Sequence, residues 1–256
     1  MKNKSLAPDN IAPKKLAKKK LAQKPSDQTW QEFFAQQTQT AKDSRLQQFY
    51  QAGVIDPDTP LSKVEFVALD FETTGLDFEK NGIISIGLIP FTLNRIYCKQ
   101  SKHWLVKSRK PLKEDSVVIH GITHSDLSSA PDLTRILEEV LKSLAGKIVV
   151  VHYQHIERQF FYRALEDRLG EGILFPMVDT LAIEYDIQKQ AVSGFWNRLR
   201  GKKTASVRLG ACRTRYNLPA YQPHHALVDA IATAELLQAQ IHHHFSPKTP
   251  ISDLWV

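Results

Sequence analysis

Apolar positions recur along this chain in two periods, helical first and then mostly strand-like, and the change divides it. Between residues 28 and 55, Trp30, Phe33, Phe34, Ala41, Leu46, Phe49 and Tyr50 lie at approximately helical spacing. This predicts one or two helices docking on a main domain, with a partner-binding helix as the alternative. Asp56-Pro57-Asp58-Thr59-Pro60 reads as a turn-rich linker. Residues 64–69, 82–89 and about 94–107 then predict successive strands, with Asn81-Gly82 as a turn. In 131–144, Leu133, Ile136, Leu137, Val140, Leu141 and Leu144 share a helical face, and Gly146 ends the helix. Lys147–Val151 predicts a short buried strand, followed by a helix to about Leu169 with Ile156, Phe160, Ala164 and Leu165 turned inward. Another helix is expected after Asp179, and two more at about 206–217 and 225–244. Strands followed by alternating helices imply an α/β class, a mixed sheet flanked by helices.

Composition narrows the setting. A chain of 256 residues with 42% hydrophobic content can bury one α/β core and carry appendages. No stretch approaches the about 18 consecutive apolar residues of a membrane span, and no secretory signal is visible, so no membrane association and a cytoplasmic location are expected. Cys98 and Cys212 fit no Cys-x-x-Cys spacing, which predicts two reduced, buried thiols. The charge is uneven: residues 1–27 hold eight lysines against Asp9 and Asp27, +6 of the net +7. With three prolines and no aromatic residue, that segment is expected to be disordered in isolation. It would either attract phosphate backbones or serve as a solubilising or targeting arm. A second basic stretch, Phe195, Trp196, Arg198, Arg200, Lys202 and Lys203, combines stacking rings with cations, as single-strand paths do. Solvated loop charges are the alternative there.

The densest candidate chemistry is Asp70-Phe71-Glu72-Thr73-Thr74-Gly75, which follows the apolar run 64–69 without a break. In a strand, residues two apart share a face, so the carboxylates of Asp70 and Glu72 come together. Such a pair repels unless it is protonated or holds a cation, and hard divalent cations prefer oxygen ligands. His224-His225-Ala226-Leu227-Val228-Asp229 opens the last predicted helix. If His224 precedes the helix start, its ring can reach the site that Asp229 faces. A metal-binding carboxylate beside an imidazole is the pair needed to bind an ion and deprotonate water.

These segments, in this order, resemble the motifs of the DnaQ-like DEDDh 3′–5′ exonucleases, a family that includes the exonuclease domain of the DNA polymerase III epsilon subunit. The resemblance runs from about residue 64 to 240. Asp70 to Gly75 is similar to the first motif, and His224-x-Ala-Leu-x-Asp229 to the third. Val118-Ile119-His120-Gly121-Ile122 is similar to the segment beside the terminal nucleotide, and Asp179-Thr180-Leu181 to a recurrent structural element. The second motif departs from the usual His-Asn-Ala-x-Phe-Asp, reading His152-Tyr153-Gln154-His155-Ile156-Glu157. Glu157 therefore stands where an aspartate is usual. It is either an active ligand with about 1.5 Å more reach or an ordinary helix-surface acid.

The resemblance implies a ribonuclease H-like fold over 63–245, preceded by a tail (1–27) and a helical appendage with linker (28–62), and followed by a C-terminal tail (246–256). It implies two divalent cations, Mg²⁺ or Mn²⁺, held by Asp70, Glu72, Asp229 and Glu157, with His224 as general base. Thr73, Thr74, Leu76 and His120 would hold the substrate. The implied partner is a nucleic-acid 3′ end, single-stranded and with DNA preferred. RNA 3′ ends and a non-catalytic binding module are the alternatives. Nothing in the chain specifies a polymerase partner.

Overall fold

The structure is a computed structural model that describes residues 21–111, 120–192 and 205–256. The lysines before residue 21, Val118 and Ile119, and the basic stretch from Phe195 to Lys203 lie outside the described residues. Two helices come first, α1 (Trp30–Thr40) and α2 (Ser44–Gln51). Thr29 and Glu32 form a capping box on α1 and Asp43 caps α2, answering N–H groups that a helix start leaves free. Then come β1 (Phe66–Thr73), β2 (Ile83–Thr92), β3 (Arg95–Ile96) and β4 (Lys102–Leu105). The rest alternates: α3 (His124–Ser129), α4 (Leu133–Leu144), β5 (Ile148–Val151), α5 (Gln154–Leu169), β6 (Met177–Asp179), α6 (Thr180–Val192), α7 (Leu209–Arg215) and α8 (Ala226–His244).

The strands form a mixed sheet in the order β3-β2-β1-β5-β6, with β4 also paired to β2. β1 runs antiparallel to β2 and parallel to β5, which is parallel to β6. Alternation along β1 decides what each face receives. Val67, Leu69 and Phe71 enter one core with residues of α1, α2, α4 and α5, whereas Phe66 and Ala68 enter a second core beneath α8. Asp70 and Glu72 continue the second series, so they share the face that α8 covers.

Several expectations need correction. The long third strand is interrupted by a 3-10 turn at Cys98–Gln100, which leaves Cys98 exposed, while Cys212 is buried as expected. Ala22 is buried and exchanges two hydrogen bonds with the Gln159 side chain, so the described end of the basic arm, from residue 21, is held against the domain at that point. The C-terminal tail, 246–256, is packed against the domain. Ile251 and Leu254 join the core beneath α8, and Val256 exchanges backbone hydrogen bonds with Met177 of β6. Among the described residues, no helix is long and apolar enough to cross a membrane.

Candidate active site

The site forms where β1 meets the start of α8. Asp70 and Glu72 lie near the C-terminal end of β1, and the β1–β2 register slips just beyond Glu72, with Ile84 as the extra residue. Such a bulge re-aims neighbouring side chains. Asp70 pairs across the strands with Gly87. A Cβ at position 87 would stand 2.3 Å from the Ala226 carbonyl carbon and from the Leu227 nitrogen, so only glycine lets the helix backbone press against the sheet here. Asp229 sits one helical turn further along. One oxygen from each of Asp70, Glu72 and Asp229 lies within 4.8 Å of the others.

His224 stands just outside the helix with φ at 71°, a left-handed conformation unusual for a side chain of this size. Its backbone N–H donates to Asp229 Oδ2 at 2.8 Å, which ties the histidine to the acid five residues on. The ring meets His120 edge to face at 5.9 Å and 80°. His120 Nδ1 in turn lies 2.5 Å from Glu72 Oε2, a close approach without hydrogen-bond alignment. His225 belongs to neither group. Its ring lies tilted by 33° against that of His103 at 4.7 Å, and His103 Nε2 lies 2.7 Å from Ser85 Oγ.

The irregular second motif is held from behind. Tyr153, at the N-terminus of α5, has φ at 85° and makes no side-chain cap. The carboxylate of Asp179 replaces the cap, accepting from the N–H groups of Tyr153 and Gln154 at 2.9 and 3.0 Å. His152 is anchored between the Thr180 hydroxyl and the Val207 carbonyl, and burial pushes its pKa down to about 4, so it is a neutral structural ring. With α5 so fixed, Glu157 is 3% exposed and its Oε2 has no hydrogen-bond partner. It is not a helix-surface acid. It lies outside the group within 4.8 Å, but its charge acts on Asp70 and that of Glu72 acts on it.

Electrostatics set the cluster apart from ordinary surface acids. Burial, then the charges of Glu72, Asp229 and Glu157, hold Asp70 well above the usual carboxylate range. Glu157 is raised well above it by burial and by Asp179 and Glu72. Asp229 is raised by burial and Glu72, against the opposing pull of the His224 N–H. Glu72, only 5% exposed, leaves Oε1 without a partner. Buried acids with orphaned oxygens require protons or cations, and an all-oxygen donor set fits hard divalent ions.

The residues expected to bind substrate divide. Leu76 is 71% exposed, although large and apolar, and Thr73 closes β1 beside Glu72. Thr74 requires correction: it is 1% exposed and its hydroxyl is used within the loop, donating to Asn81 Oδ1 and accepting from the Gly82 N–H. Its side chain supports the loop. Gly87 is the position missed, and its signal was present as a lone glycine inside an apolar strand, a mark of close backbone approach. Asp179 was read as structural, but nothing local to it indicated that it caps α5.

The family model described as "Exonuclease", RNase T, matches residues 67–237, two thirds of the chain. The chain belongs to the RNase T exonuclease family. This exonuclease is 28% identical over 179 residues to the PolC-type DNA polymerase III of Thermotoga petrophila, covering 70% of the chain but only 12% of that polymerase. It is also 28% identical over 181 residues to the DNA polymerase III epsilon subunit of Treponema pallidum, covering 71% of the chain and 78% of that subunit. Among solved structures, cell-death related nuclease 4 superposes with a TM-score of 0.57 at 18% identity, covering 70% of this chain and 64% of that one. Exonuclease X, bound to 5′-overhanging duplex DNA, gives 0.54 at 18% identity, covering 73% and 98%. The fold is thus ribonuclease H-like, and α1, α2 and the docked C-terminal segment lie outside the matched region.

Proposed function

We propose that this exonuclease removes nucleotides from the 3′ ends of single-stranded nucleic acid, DNA in preference to RNA, by phosphodiester hydrolysis dependent on two divalent cations, Mg²⁺ or Mn²⁺. The observation that carries the reading is the convergence of Asp70, Glu72 and Asp229 oxygens within 4.8 Å, with Glu72 Oε1 and Glu157 Oε2 both buried and unpartnered. DNA is preferred because the relatives at 28% identity are DNA polymerase III chains.

Asp70, Glu72 and Asp229 would hold the cations, with Glu157 supporting from α5. When bound, these ions supply charge stabilisation for a phosphate that gains negative charge during hydrolysis. His224, exposed at the lip of the cluster, takes the proton from the attacking water through a ring nitrogen. The Asp229 carboxylate, by accepting from the His224 N–H, sets where that ring stands. Leu76 offers an apolar surface for the terminal base, and His120 and the Thr73 backbone flank the terminal nucleotide. Binding a 3′ terminus rather than base edges makes the activity indifferent to sequence.

The test is nucleotide release from 3′-labelled single-stranded DNA and RNA of one sequence, with and without Mn²⁺. Metal-dependent release, faster from DNA, is expected. Equal or faster release from RNA would overturn the DNA preference, and no release from either would overturn the activity.

A further inference from the structure

One carboxylate belongs to two donor sets. Glu72 groups with Asp70 and Asp229, and it also groups with His120 and His224, again with all three donor atoms within 4.8 Å. The first set is all oxygen. The second is two imidazoles and a carboxylate, a set found in catalytic zinc sites and unsuited to magnesium. We propose that Glu72, His120 and His224 form a Zn²⁺ site that excludes occupation of the oxygen-only set through their shared carboxylate.

Three observations support this site beyond proximity. Glu72 is nine-tenths or more buried and its Oε1 has no partner. His120 Nδ1 stands 2.5 Å from Glu72 Oε2 without hydrogen-bond alignment, so a buried imidazole nitrogen faces a carboxylate oxygen and has no hydrogen-bond partner of its own. The rings of His120 and His224 are nearly perpendicular at 5.9 Å, an arrangement that lets two imidazoles converge on one ion rather than stack. Tetrahedral ligands about 2.1 Å from one ion lie about 3.4 Å apart, and rotation of the exposed His224 ring closes the remaining distance. Occupation would also take His224 away from proton transfer, so Zn²⁺ inhibits hydrolysis. That consequence rests on the proposed role of His224, whereas the binding does not.

The metal-free full chain, titrated with Co²⁺ as a visible probe and then with Zn²⁺, tests the site without any nuclease assay. One tetrahedral Co²⁺ spectrum, displaced by one equivalent of Zn²⁺, is expected, with the imidazole resonances of His120 and His224 shifting on addition. His120→Ala and His224→Ala should each weaken Zn²⁺ binding at least about tenfold. A variant with His242, His243 and His244 all changed to alanine should bind as wild type does. Excess Mg²⁺ should raise the apparent Zn²⁺ dissociation constant, through Glu72. Unchanged affinity in both single variants, or a loss confined to the triple variant, overturns the proposal. Because these readouts need no substrate, failure of this site and failure of the exonuclease proposal are separately visible.

Discussion

Gly87 and Ala226 touch backbone to backbone across the interface of β2 with α8, at the point where Gly87 also pairs with Asp70. That contact sets how near Asp229 comes to the strand-borne acids. Gly87→Ala would place a Cβ 2.3 Å from backbone atoms, which cannot rotate away as a side chain could. The expected result is a stability loss of about 1–3 kcal/mol and a larger proportional fall in turnover, as α8 lifts from the sheet. Thermal melting beside a steady-state assay checks it, and unchanged turnover would detach Asp229 from the site.

Asp70→Asn should abolish hydrolysis and stabilise the metal-free protein near neutral pH. The sign follows from linkage. The folded pKa of Asp70 is raised, so between its unfolded and folded values the native state binds more protons, and stability falls as pH rises from about 4. His152, whose pKa is pushed down to about 4, acts oppositely, losing stability as pH falls through the range from its unfolded value to that figure. The difference between variant and wild type therefore cancels His152 and reports Asp70 together with the acids whose charges act on it. Melting temperatures in chelator should diverge as pH rises and converge toward pH of about 4. A constant offset would contradict the assignment.

Glu157→Gln keeps the shape of a buried side chain whose Oε2 has no partner while removing its charge. Turnover should fall by about tenfold to a hundredfold or more, and the Mg²⁺ or Mn²⁺ concentration for half activity should rise. Glu157→Asp should be milder, because the charge survives and a water can bridge the shortened reach. A metal titration of the three proteins separates these outcomes. Wild-type behaviour in Glu157→Gln would leave the site without this ligand.

Leu76→Ala and Thr74→Ala should fail in different assays. Leu76 is exposed, so its truncation should leave stability within about 0.5 kcal/mol and raise KM several-fold if a terminal base rests on it. Thr74 is buried with its hydroxyl engaged, so its loss should cost about 1–3 kcal/mol. Denaturant melts and KM measurements on both variants check the contrast.

How much could be read from the chain alone depended on whether the cause was local. Strand alternation is local, so the shared face of Asp70 and Glu72 was legible, as was the aromatic spacing of α1 and α2. Asp229 was legible as a third candidate ligand from its chemistry beside His224, and the family motifs supported it, but the contact that brings it to those acids, Gly87 against Ala226, joins distant segments and was not legible. The burial of Glu157 depends on Asp179 capping a helix in another segment and on the left-handed backbone of Tyr153. Neither has a periodic signature. The docked C-terminus escaped notice for the same reason, since Trp255 joins the sheet by a single bridge to Val178.

The most direct measurement follows 5′-labelled single-stranded DNA through a time course in Mg²⁺ with wild-type protein, Asp229→Asn, and wild type in chelator. A ladder shortening stepwise from the 3′ end is expected with wild type, with no products in the other two and no cleavage when the 3′ terminus is blocked. His224→Ala should give the same ladder about a hundredfold to ten-thousandfold more slowly, with partial recovery at alkaline pH as hydroxide replaces the base. Internal cuts, release of the labelled 5′ nucleotide first, or an intact strand that wild type binds without shortening would each contradict the proposed activity.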